Sequence, residues 1–125
     1  MTEMQAKAIE IAAAYYRAWT TGDMNGAAQQ LAVDVICYAP SGTIEGRDAV
    51  KSFMAPYAAS LTDSTLLAVY GTDHEAVIMY DTANRSVPTA PAAELYRIRD
   101  DHIAEIHIIF DRLPFALARG DVVAV

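Results

Sequence analysis

The sequence predicts a single α+β domain, helices first and antiparallel strands afterwards. Up to Leu61 the apolar residues recur at helical spacing. Beyond it they fall into short extended runs separated by turn-forming clusters. The 125 residues, 54% of them hydrophobic, suffice to bury a core without metal or disulfide support, so residues 1–125 read as one domain.

The first helix runs from Met4 to Thr21. Lys7, Glu10, Ala14, Arg17 and Thr21 share one side, and Ala8, Ala12, Tyr15, Tyr16 and Trp19 share the other. Small alanines let such a helix lie close to a sheet, while the aromatics supply buried area and two phenol hydroxyls that need partners. Gly22 suits a C-terminal stop, and Asp23 suits the N-cap of a short helix through Leu31. An extended Val33–Cys37 follows. Gly46-Arg47-Asp48 then opens a third helix whose apolar side is Ala49, Val50, Phe53, Met54 and Tyr57, with Pro56 expected to kink or shorten its end. Asp34, like Asp23, reads as a cap.

Four strands are expected at Ser64–Tyr70, Glu75–Ala83, Ala92–Arg99 and His102–Asp111. Between the second and third, Pro88 and Pro91 lack ladder donors and make Asn84–Pro91 a loop. The last two strands pose a register problem. Glu94, Tyr96 and Ile98 form the expected inner face of one, and Ala104, Ile106, Ile108 and Phe110 that of the other. A plain two-residue turn at Asp100-Asp101 puts Glu94 on the His107 side. A one-residue bulge around Arg99–His102 reconciles the two faces and leaves Glu94 as the lone carboxylate on an apolar inner surface.

Composition excludes several function classes. A formal charge of −7, with scattered Lys and Arg, repels phosphate backbones, so nucleic acid is not an expected partner. Cys37 is the single cysteine and has no intrachain partner. Met1–Gln5 lacks the basic start and apolar run of a signal peptide, and no apolar stretch approaches a membrane span. A reduced, cytoplasmic compartment fits. No Gly-x-Ser-x-Gly, phosphate-cradling glycine loop, Cys-x-x-Cys or helical pair of histidines is present. His74, His102 and His107 read as surface residues, and neither metal nor cofactor is expected.

The order of elements from Tyr15 to Phe53 resembles the opening half of the nuclear transport factor 2-like superfamily. The marks are a helix ending at Thr21-Gly22-Asp23, a short helix, an extended Val33–Cys37, then Pro40, Gly42, Glu45-Gly46-Arg47 and a third helix. The resemblance is to the SnoaL-like and ketosteroid isomerase-like branch. It implies a cone-shaped barrel of three N-terminal helices packed on a curved, mainly antiparallel sheet, a hydrophobic pocket for a small apolar molecule, no cofactor, and a homodimer. Apolar area for the dimer would come from Val77, Met79, Ile103 and Ile109. The tail Leu113–Val125 is expected to cover the pocket opening or to cross to a second subunit. Isomerases, polyketide cyclases and binding modules share this scaffold, so the resemblance bounds the architecture more tightly than the reaction.

Residue by residue, the resemblance puts Tyr15 where the steroid isomerases carry their oxyanion-hole tyrosine, and Glu94 where they carry a protonated aspartic acid. Together they would donate hydrogen bonds to a ligand carbonyl or developing enolate. The alternative is that they satisfy each other, or that Glu94 pairs with an arginine. The general-base position falls in Tyr38-Ala39-Pro40, which holds no carboxylate. Ile106 and Ile108 stand where an epoxide hydrolase would need its acidic set. Asp111, at the end of the last strand, is the remaining acid–base candidate, as in the cyclases, or else caps the turn Arg112-Leu113-Pro114. The candidate pocket lining is Tyr16, Trp19, Tyr38, Phe53, Met54 and Tyr57 from the first half, and Tyr80, Tyr96, Ile106, Ile108 and Phe110 from the second. The same residues also read as ordinary core.

Overall fold

The computed structural model describes residues 6–123. Helices α1 (Lys7–Thr20) and α2 (Met24–Gln29) precede strands β1 (Leu31–Ala39) and β2 (Gly42–Glu45) and helix α3 (Arg47–Ser60). Strands β3 (Asp63–Gly71), β4 (Glu75–Ala83), β5 (Ala92–Arg99) and β6 (His102–Phe110) follow, then a short helix α4 (Leu113–Arg119). They form a six-stranded sheet in the order β2-β1-β6-β5-β4-β3, antiparallel throughout except for the parallel pair β1–β6. Met4 and Gln5 of the expected first helix, and the last two residues of the tail, lie outside the described residues.

Helix α1 buries Ala8, Ile11, Ala12, Tyr15, Tyr16 and Trp19 against the inner sheet face, the stripe its periodicity requires. Gly22 stops it at φ +86°, and the Asp23 side chain accepts the Gly26 N–H to start α2. Strand β1 already begins at Leu31, which is buried, so α2 ends at Gln29 and not at the expected Leu31. Asp34 is not a cap: it is exposed in β1 and pairs with Arg99. Strand β2, a short hairpin partner of β1 with Ala39 opposite Gly42, was not foreseen.

Helix α3 turns Val50, Met54 and Ala58 inward, leaving Ala49 exposed and Phe53 partly so. Its apolar side is therefore rotated from the expected one. Pro56 does not end the helix, which runs on to Ser60, where the Ser60 hydroxyl donates to the Tyr57 carbonyl.

The β5–β6 hairpin settles the register conflict. Asp100 and Asp101 both take positive φ in a two-residue turn, pairing Ile98 with Ile103. The extra residue lies further along than expected: Arg97 pairs with Glu105, so Ala104 is the bulge residue, and Tyr96–Ile106 and Glu94–Ile108 become inner pairs. This shift makes Ile103 a fully buried core residue and removes it from the expected outer patch. The outer face keeps Val77, Met79 and Ile109, all substantially exposed, next to the ion pairs of Arg97 with Glu75 and Glu105.

Candidate functional site

Two features share the inner side of the sheet: a buried carboxylate cluster and an open cavity. Bulging at Ala104 turns Glu94 inward, where it is 1% exposed. Tyr80 on β4 donates its hydroxyl to Glu94 Oε2, and Tyr96 donates to Oε1 at 2.9 Å. Tyr15 packs edge-on against Tyr96, with ring centroids 5.6 Å apart. Burial pushes the Glu94 carboxyl up to about 6, against the opposing pull of the two phenol hydrogen bonds. The same burial, reinforced by the negative charge of Glu94, holds the phenols of Tyr15, Tyr80 and Tyr96 well above their ordinary range. It also pushes the thiol of buried Cys37 up to about 12.

The cavity, about 270 Å³, lies at the end of the sheet where β4, β5 and β6 meet α3 and α4. Phe53, Met54 and Tyr57 come from α3, and Tyr80, Thr82, Ala92, Ile108 and Phe110 from the sheet. Ser41, Ala90, Arg112, Phe115 and Arg119 complete the wall. The tail folds as α4 beside the opening, Phe115 packing edge-on against Phe110 and Tyr57. Tyr57 and Thr82 hydrogen-bond each other, which spends much of the polar capacity on that side.

The structure thus divides the expected site residues. Phe53, Met54, Tyr57, Tyr80, Ile108 and Phe110 line the cavity. Tyr16, Trp19, Tyr96 and Ile106 are core, where α1 and the sheet close on each other. Tyr38 falls on the opposite face of β1 from buried Cys37 and stacks on His107, because side chains alternate along a strand. Asp111 is exposed and accepts the Leu113 N–H ahead of α4; it is absent from the cavity wall. Neither Tyr15 nor Glu94 lines the cavity. Glu94 meets it only through Tyr80, a partner that sequence reasoning did not connect to it. Arg112, Phe115 and Arg119 were also missed, although Pro114 near the start and Gly120 just past the end bracket a helix in the sequence.

The fold recurs in solved structures. A crystal structure of a protein from Kribbella flavida DSM 17836 is 42% identical, with a TM-score of 0.90, covering 94% of this chain and 97% of that one. An NTF2-like protein of unknown function from Cytophaga hutchinsonii ATCC 33406 is 18% identical at a TM-score of 0.77, covering 91% and 98%. A de novo designed protein with a curved β-sheet is 14% identical at a TM-score of 0.79, covering 94% and 96%. These last two likenesses concern the fold alone. No curated protein matches the chain. The SnoaL-like domain model matches residues 12–106, from the middle of α1 to the buried centre of β6, and the chain belongs to that family.

Proposed function

We propose that this chain binds a small apolar carbonyl compound in the cavity, its carbonyl oxygen received by the Tyr80 hydroxyl with Glu94 behind it as an exchangeable proton store. One observation carries the reading: Tyr80 lines the cavity and its hydroxyl is bonded to the buried Glu94 carboxylate. When Glu94 is ionised, Tyr80 must donate to it and offers only lone pairs to a ligand. When Glu94 is protonated, its own hydroxyl donates to the Tyr80 oxygen and frees the phenol proton for a carbonyl. Carbonyl binding is therefore coupled to uptake of one proton by a group titrating near 6.

The test is binding of 2-acetylnaphthalene against naphthalene, followed by the shift of the Met54 methyl resonance. The ketone should bind more tightly below pH 6, its advantage falling by up to about tenfold per pH unit above that. Glu94→Gln, whose amide donates permanently, should keep the advantage and remove its pH dependence, whereas Tyr80→Phe should abolish it. Equal binding of ketone and hydrocarbon at every pH overturns the reading.

Turnover is the second reading, favoured by the raised carboxylate held among three phenols. The chain would then be a cofactor-independent isomerase or cyclase, with Tyr15 and Glu94 acting through Tyr96 and Tyr80. Among the described residues no carboxylate or imidazole lines the cavity, so an α-proton would pass to the Tyr80 oxygen as the phenol proton moves onto ionised Glu94. Exchange of the ketone's α-protons in D2O, lost in Tyr80→Phe, would support this; no exchange leaves a binding protein. The exposed Val77, Met79 and Ile109 support a homodimer through the outer sheet face, which sedentary monomer mass in light scattering would refute. The single buried Cys37 is in keeping with a reducing, cytoplasmic location. No described helix is long and apolar enough to cross a membrane.

A further inference from the structure

The charges around the cavity run against those of the protein as a whole. The chain carries −7, yet among the described residues the only charged side chains in the cavity wall are Arg112 and Arg119. They stand at the two ends of α4: Arg112 immediately precedes the helix and Arg119 is its last residue. Arg119 gives its Nε to Asp121 at 2.8 Å. Arg112 makes no ion pair among the described residues. The nearest acid in sequence, Asp111, is occupied by the Leu113 N–H. Deeper in, the wall is aromatic and aliphatic, with the polar groups at Tyr80 and at the Tyr57–Thr82 pair.

From this arrangement we infer that the ligand is an amphipathic acid: an apolar body filling the cavity, with a carboxylate or similar anion held at the opening by Arg112 and, secondarily, Arg119. The inference rests on the cavity being the binding site. It adds that selection among apolar molecules is made at α4. A guanidinium at the edge of an apolar wall is well suited to this, since it offers several donors in a planar fork while its stem packs against apolar surface. Pairing with Asp121 leaves Arg119 the weaker contact and Arg112 the principal one.

Two fluorescent probes of one shape separate the contributions: 8-anilinonaphthalene-1-sulfonate and 1-anilinonaphthalene, which lacks the sulfonate. Both are titrated against the full chain, with the Met54 methyl resonance reporting occupancy of the cavity. The sulfonate should bind about tenfold more tightly than the neutral probe, as expected of one charge-assisted contact. Arg112→Gln should remove most of that difference and Arg119→Gln a smaller part, each read as the ratio of sulfonate to neutral-probe affinity within the same variant. If both probes shift Met54 and bind equally well, the cavity reading stands and the acid inference falls. If the sulfonate binds without shifting Met54, it sits elsewhere, and both fall. Should Arg112→Gln prove unstable, Arg112→Met serves: keeping an apolar stem but losing the charge, it should lose most of the preference for the sulfonate, and unchanged discrimination would overturn the inference.

Discussion

The closed and open ends of the domain use the same kind of side chain to opposite effect. At the closed end Tyr15, Tyr16 and Trp19 of α1 meet Tyr80 and Tyr96 of the sheet at ring-centroid distances of 5.4–5.6 Å, edge-on except for the tilted Tyr16–Tyr80 pair, and almost nothing is exposed. At the open end Phe53, Tyr57, Phe110 and Phe115 are just as aromatic, yet they bound a cavity. The difference lies in what covers them. A fourteen-residue helix with six buried side chains lies across the first group, whereas seven-residue α4, with no buried residue, lies beside the second. Aromatic content supplies the material for either a core or a pocket, and the length and seating of the opposing helix decide between them.

The sharpest way to break this comparison is to delete one large side chain from each end. Trp19→Ala should lower unfolding free energy by about 3–5 kcal/mol in urea titration, since the ring is wholly buried. A loss under about 1 kcal/mol would show that the closed end is not packed as described. Within that end, the carboxylate cluster should be next most sensitive. Tyr96→Phe leaves Glu94 Oε1 without its phenol donor and should cost about 1–3 kcal/mol at neutral pH, with the Glu94 carboxyl moving further upward.

Titration sharpens the same point. Because Glu94 is raised from an ordinary 4.5 to about 6, the folded state holds its proton more tightly than the unfolded chain does. Its contribution therefore favours folding most below pH 4.5 and declines as pH rises through 6, by about 2 kcal/mol in all. Measured as the difference between wild type and Glu94→Gln from pH 4 to 7.5, this window isolates Glu94 from other carboxylates, such as Glu105, which His107 and Arg97 hold below its ordinary range. A flat difference would mean that Glu94 does not titrate in the folded protein as described. The smallest effect belongs to the open end. Leu117→Ser in α4 should cost well under about 1 kcal/mol, since Leu117 is 40% exposed. The α4 amides should exchange with solvent far faster than those of α1; comparable protection would mean that α4 is part of the core.

Much of this was readable before folding was considered. The buried face of α1, the Asp23 cap, the Pro-interrupted loop and the strand limits Glu75–Ala83 and Ala92–Arg99 all follow from local periodicity and turn chemistry. Even the bulge in the final hairpin was implied, because only an extra residue puts Glu94 and Ile108 on one face. Its place at Ala104 was not, and that error alone assigned Ile103 to the surface. The candidate site was half legible. Residues with pocket chemistry were identifiable by type, but core and cavity residues carry the same hydrophobic signal and cannot be separated along the chain.

What the sequence determined by itself is therefore the α+β order of elements, the inward orientation of Glu94 and the supply of apolar and aromatic residues along α1, α3 and the strands. These depend on short-range rules: helical and strand periods, caps, turns. Only the tertiary structure decided that Glu94 meets the cavity through Tyr80, fourteen residues away, and that Tyr15 stays in the core. It also decided that Arg112 and Arg119 stand at the cavity. Those relations follow from strand register and from how far each helix extends over the sheet, which are properties of the assembled layers and of no segment alone.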